Sequence, residues 1–165
     1  EKRTDLKLFH NHMTIDLVNP FFFFFTSEGK RLVNLFRVEI FKEVAKSNLY
    51  GLIFTFVWAF DMKSDWDYVD RVCEIFESNG GTVYFVELEA DMDTRLERNK
   101  SPHRLIHKPS KRNIDWSEKD LLNSISKHRL NSLKDEIKRE HYLRINNTNK
   151  TAEEVAKLIK ERFHL

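Results

Sequence analysis

Two histidines and a crowd of cations are the residues of this chain with the most chemistry to offer. His10 and His12 flank Asn11 directly after a short apolar stretch. Imidazoles titrate near neutral pH, so the pair suits contact with, or proton transfer from, an acceptor substrate. The same spacing occurs in metal sites, but no Cys or carboxylate cluster beside it completes a ligand set, and no metal is expected there. The plain alternative is a pair of polar strand-end residues. Further along, Arg95, Arg98, Lys100, His103, Arg104, His107, Lys108, Lys111 and Arg112 form the strongest local charge bias in the chain. Guanidinium forks stabilise the charge that phosphoryl transfer develops on non-bridging oxygens, so this stretch reads as a mobile phosphate clamp. A solvated basic loop is the alternative. Nucleic-acid binding is the third option, and the stretch lacks the interleaved aromatics that would favour it. Arg37 lies mid-helix near Glu39 and Lys42. It is either a solvated charge or an arginine that reaches over a sheet edge to fork a carboxylate or phosphate.

The elements that must position these groups follow from periodicity. Leu6–Phe9 alternates enough for a short strand, and Met13–Val18 suits a short helix before Pro20. The run Phe21–Phe25 is expected to fill a core corner under the next helix, with an exposed partner face as the alternative. Residues 27–47 read as a helix whose apolar face is Leu32, Leu35, Phe36, Ile40, Phe41 and Val44. Leu49–Phe60 and Thr82–Leu88 read as strands buried on both faces. Between them, Ser64 or Asp65 caps a helix with the stripe Trp66, Val69, Val72, Cys73 and Phe76, ended by Gly80-Gly81. Asp91–Asn99 is expected to be helical, and 100–115 a loop. Ser117 with Asp120 resembles a capping box opening a helix to about residue 130. Tyr142–Asn146 is a strong strand. Thr151 with Glu154 is a cleaner capping box, followed by Val155, Leu158, Ile159 and Phe163 on one face. Strands alternate with helices, which predicts an α/β protein with a mainly parallel sheet and right-handed crossovers. Ligands of such sheets bind beyond the carboxyl ends of the strands. That rule selects His10, Asn11 and His12, then Phe60 and Asp61, then 89–93, and finally Asn146, Asn147 and Thr148.

Composition narrows the classes. A chain of 165 residues suits one domain and can bury a core without disulfides. The 28 Lys+Arg nearly balance 26 Asp+Glu, for a net charge of +2, which argues against a polybasic nucleic-acid arm. The single Cys fits a reducing compartment, most simply the cytoplasm. No apolar run is long enough to cross a membrane, so no membrane partner is expected.

The order strand, His-Asn-His, helix with Phe36-Arg37, apolar strand, basic stretch, strand, Asn147-Thr148 resembles the P-loop kinases of the shikimate-kinase and nucleoside-kinase type. It is most similar to small bacterial P-loop ATPases of the shikimate-kinase-like kind. Residues 8–16 (Leu-Phe-His-Asn-His-Met-Thr-Ile-Asp) carry the most specific part, supported by Leu52–Val57 and Val83–Leu88, and the resemblance covers nearly the whole chain. It implies a three-layer P-loop NTPase fold of the nucleotide-kinase kind over 1–165, with 100–116 as its lid. It also implies an ATP- and Mg²⁺-dependent phosphotransferase acting on a small polar acceptor. By the same resemblance Arg98 and Arg104 match the two lid arginines, one stacking on adenine and one reaching the transferred phosphate. Asn147 and Thr148 match the loop beside adenine. Arg37 and Arg129 match substrate arginines. His10 and His12 stand where shikimate kinases carry an acidic residue, which argues against shikimate itself. Asp16 is a weaker candidate for activating the acceptor hydroxyl.

One departure is absolute. These kinases hold the phosphates in a loop G-x-x-x-x-G-K-[ST] between the first strand and helix. The glycines here stand at 29, 51, 80 and 81, and none builds that loop. Residues 1–5 look like the tail of the helix that follows it, so the expectation is that about twenty N-terminal residues, first strand and loop included, lie outside this sequence. The missing strand is central in that family, and its loss leaves two neighbours with unpaired N–H and C=O groups. The other reading is a non-catalytic nucleotide- or ligand-binding module. The phenylalanine run is a candidate surface for a homodimer.

Overall fold

The computed structural model describes residues 4–165. Its elements run β1 (Lys7–His10), α1 (His12–Val18), α2 (Ser27–Lys46), β2 (Leu52–Thr55), α3 (Lys63–Glu77), β3 (Phe85–Glu89), α4 (Met92–Asn99), α5 (Pro102–His107), a 3₁₀ turn (Pro109–Lys111), α6 (Ile114–Lys127), β4 (Tyr142–Asn146) and α7 (Ala152–Phe163). The chain is α/β, and its strands pair in parallel. They do so as two separate two-stranded sheets, β1 with β2 and β3 with β4, rather than as one continuous sheet. Lys7 faces Leu52 through to His10 facing Thr55, and Phe85 faces Tyr142 through to Glu89 facing Asn146. Each sheet therefore has its carboxyl ends in register, which gathers the residues that follow the strands. Among the described residues, no helix is long and apolar enough to cross a membrane.

The core is aromatic. Phe41 of α2 sits edge-on to Phe9 of β1 and Phe54 of β2, at centroid distances of 5.6 and 4.9 Å, and meets Phe76 of α3. Such edge-to-face pairs contribute about 0.5–1.5 kcal/mol beyond their buried area. Ile15 and Val18 of α1 pack on Val33 of α2. Helix starts are capped as their sequences allow. Thr26, Asp91 and Asn113 each accept the N–H three residues on, and Thr151 with Glu154 forms the full reciprocal box.

Several expectations are corrected. Residues 100–115 are not a plain loop: Ser101 caps α5 and Pro102 opens it. Six residues are too few to show a helical period, which is why the pattern was invisible. Ser117 and Asp120 do not cap α6. That helix starts a turn earlier at Asn113, leaving the Ser117 hydroxyl to donate to Asn99 Oδ1 and Asp120 to pair with Lys111. The strands are half-buried rather than covered on both faces. In α2 the buried line is Gly29, Val33, Arg37 and Phe41, four residues apart, and Leu35, Phe36 and Ile40 are exposed. In this rotation of the helix the Arg37 guanidinium turns inward. Phe21, Phe22, Phe23 and Phe25 are exposed, Phe21 at 78%. Only Phe24 packs on the Ile15–Val18–Val33 cluster. The run follows α1 as a turn, Phe21 and Phe22 donating to the Val18 carbonyl and Thr26 to Phe23, and Phe25 packs on the rings of Phe23 and Phe24 at 5.4 Å.

Candidate ligand-binding site

A cavity of about 630 Å³ opens beyond the carboxyl ends of β1 and β2. Asn11 and His12 enter it from the end of β1, and Thr55, Phe56 and Val57 from the end of β2. The basic stretch closes it, with Arg95 and Asn99 on α4, Arg104 on α5, and Lys108, Ser110 and Lys111 on the turn that follows. Phe23, Phe24, Phe25 and Trp116 form an aromatic wall.

One residue fastens the basic stretch to α1. The Ser110 hydroxyl lies 3.0 Å from His12 Nδ1, and its N–H donates to Asp16 Oδ1 at 3.2 Å. His12 and Asp16 stand four apart on α1 and so share a face. His12 is 7% exposed, and burial, reinforced by Lys108, Lys111 and Arg104, lowers its pKa to about 3. At neutral pH it is an uncharged ring that locates Ser110. Asp16 holds the backbone of the basic stretch and does not line the cavity.

The cations divide into two groups. Lys111 is paired with Asp120 at 2.7 Å and lies 4.6 Å from the Trp116 ring centre. Arg104, Lys108 and Arg95 make no side-chain hydrogen bond or ion pair among the described residues. Burial lowers the pKa of both arginines. Burial, with Arg104 and Lys111 nearby, brings Lys108 down to about 8 against weak opposition from Asp16. Desolvated charges without partners are costly, so the cavity is primed for an anion. Two buried donors lack acceptors as well, Arg104 Nε and Asn99 Nδ2. No sequence signal marked Asn99, because a polar residue at the end of a helix is commonplace.

The remaining predicted residues lie elsewhere. Arg37 is 7% exposed and does not line the cavity, its Nε donating to Thr14 Oγ1 and its NH2 to the Asn11 carbonyl, both at 2.9 Å. It is not the solvated charge the sequence suggested; it braces the turn that carries His12. His10 does not line the cavity, and its Nδ1 is buried without a partner; burial and Lys108 lower its pKa. Arg129 forks Glu136 and donates to the carbonyls of Phe60 and Asn131, knitting the chain after β2 to the segment after α6. Arg98, Asn147 and Thr148 do come together, beyond β3 and β4. The Arg98 guanidinium donates to Asn147 Oδ1 and to the carbonyls of Asn147, Thr148 and Lys150. Asp91 N–H donates to Thr148 Oγ1. Sequence reasoning also passed over Glu87 of β3. Burial alone would raise its pKa, but donors from Ser132, Asn131 and Tyr142 outweigh that and lower it. Among the described residues no group of three His, Cys, Asp or Glu side chains is placed to hold a metal ion.

Set against protein families, characterised proteins and solved structures, the chain matches none.

Proposed function

We propose that this chain is the acceptor-binding and lid portion of an ATP-dependent small-molecule phosphotransferase of the P-loop type. The observation that carries the reading is the cavity at the carboxyl ends of β1 and β2, closed by three desolvated cations that have no ion-pair partner among the described residues. Phosphoryl transfer needs positive charge held where negative charge develops, in a site that excludes water. Arg104 is placed for that role, with Lys108 beside it. His12 and Asp16 position the basic stretch through Ser110. Arg37 holds the strand-end turn, and Arg98 shapes the Asn147–Thr148 loop that would face the nucleotide base. Arg129 acts at one remove, through the backbone after β2 and α6, and His10 stands outside the cavity.

The phosphate cradle for ATP and the ligands for Mg²⁺ do not fit onto residues 1–165. The glycines at 29, 51, 80 and 81 form no phosphate loop, and the described residues hold no three-ligand cluster. The reading therefore requires a strand and glycine-rich loop from outside these residues. The sheet topology has a place for it. β2 and β3 each pair on one side only, and a cleft lined by Val57, Trp58, Phe85 and Leu88 runs between them. A parallel strand there would join the pairs into one sheet and satisfy both edges.

The test uses the protein expressed from its own gene. ATP consumption is followed against a panel of small hydroxylated and phosphorylated acceptors. Arg104→Ala should lower turnover by about 10²-fold or more while the melting temperature stays within a few degrees. Equal losses of turnover and folding would overturn the clamp role. A gene product that carries no glycine-rich loop would overturn the kinase reading and leave a ligand-binding module.

A further inference from the structure

The cavity's free donors specify more than a positive charge. Asn99 is 4% exposed, and its amide oxygen is engaged by the Ser117 hydroxyl at 3.1 Å. Ser117 is itself 2% exposed, and its hydroxyl is the hydrogen-bond partner that the Asn99 side chain has among the described residues. The Nδ2 end is left buried without an acceptor, as is Nε of Arg104. Both residues line the one cavity, from α4 and α5, together with the unpaired Lys108. An unsatisfied buried donor is costly, and two in one cavity beside unpaired cations favour a ligand that brings acceptor oxygens. A carboxylate offers two oxygens and one charge. A phosphate monoester offers three oxygens and close to two charges, which better matches donors arriving from separate elements. Another part of the lining is aromatic: Phe25 and Trp116 meet edge to face at 6.3 Å, beside Phe24, and offer ring faces and edges to an apolar group.

We propose that the acceptor is a phosphomonoester with a planar apolar body, its phosphate held by Asn99, Arg104 and Lys108 and its ring against Phe25 and Trp116. This rests on the phosphotransferase reading only for the word acceptor; the binding site stands without it.

The test is calorimetric titration without ATP, on the protein expressed from its own gene, with three probes: phenyl phosphate, inorganic phosphate and benzoate. Phenyl phosphate should bind most tightly, inorganic phosphate more weakly for want of the ring, and benzoate weakest. Asn99→Asp replaces the free donor with a like charge in nearly the same shape. Arg104→Gln lies on a half-exposed helix and removes the fork with little risk to folding. Each should weaken phenyl phosphate by about ten- to a hundredfold, the range of one charge-assisted hydrogen bond. Absence of phenyl phosphate binding at millimolar concentration overturns the inference, as does benzoate binding more tightly than phenyl phosphate. So does unchanged affinity in Arg104→Gln, even should Asn99→Asp fail to fold. Binding without any ATP-dependent transfer would overturn the phosphotransferase reading and leave this site standing. Transfer to a neutral acceptor that phenyl phosphate does not inhibit would do the reverse.

Discussion

At the scale of single residues, two groups carry displaced pKa values that lead to opposite pH effects. His12 is held near 3 by burial and by the cations around it, against 6.5 for the exposed ring. Above pH 6.5 the imidazole is neutral folded or unfolded and contributes no pH dependence. Between 6.5 and about 3 the unfolded chain takes up a proton that the folded chain refuses, so stability falls as pH drops through that window. Urea denaturation at stepped pH should show this slope, and His12→Gln should flatten it; an unchanged slope would place its origin elsewhere. Lys108, near 8, faces Arg104, Lys111, His10 and His12, with Asp16 the opposing charge. It is cationic below that value, so affinity for an anion should weaken as pH rises through about 8. Titration of phenyl phosphate at pH 7 and pH 9 checks this, and Lys108→Arg should carry the tighter binding to the higher pH.

At the scale of elements, α2 shows how one residue without a side chain decides a junction. Gly29 stands in the first turn, where its N–H donates to Thr26 Oγ1. A Cβ there would collide with the Phe23 carbonyl oxygen and lie 3.0 Å from its carbon. Both obstacles are backbone, in a turn already closed by the Thr26 N–H donating to that same carbonyl. Alanine would gain about 1 kcal/mol in helix propensity, but overpacking against rigid backbone costs about 1–3 kcal/mol. Gly29→Ala should therefore destabilise the protein by up to about 2 kcal/mol on balance, read by chemical denaturation. A neutral or stabilising result would show that the phenylalanine turn yields. The same junction explains the exposed rings: α2 starts so soon after α1 that the connecting run has no depth in which to bury five phenylalanines.

At the scale of the whole molecule, a cavity lined by unpaired cations makes stability depend on what binds. A ligand that recognises only the folded chain stabilises it by about 2.7 kcal/mol at a hundred times its dissociation constant. For a domain of this size that is a rise of roughly 5–10 °C in melting temperature. Phenyl phosphate should produce such a rise, and sodium chloride of equal ionic strength should not. A rise with both salts would reduce the site to general screening of the basic stretch. The unpaired edges of β2 and β3 and the exposed Phe21 and Phe25 belong to this scale too, since open edges and large apolar patches favour association.

Local rules determined a good deal from sequence alone. The alternation of strands and helices, parallel pairing, the span of α2 to within a residue, β4, and the Thr151–Glu154 box all rest on short-range patterns of apolarity and capping that a chain displays in order. The cationic stretch was likewise legible as a cluster, and so was the position of Asn11 and His12, after the first strand, at the rim of a cavity. Tertiary structure decided which of those cations are spent. Arg37 and Arg129 look no different in sequence from Arg104, yet the first two meet carbonyls and a carboxylate brought from dozens of residues away, or across a turn, while Arg104 meets none. Asn99 became a candidate site residue only because Ser117, two α-helices later, took its amide oxygen. Whether a polar group is satisfied depends on partners distant in the chain, and no local pattern records them.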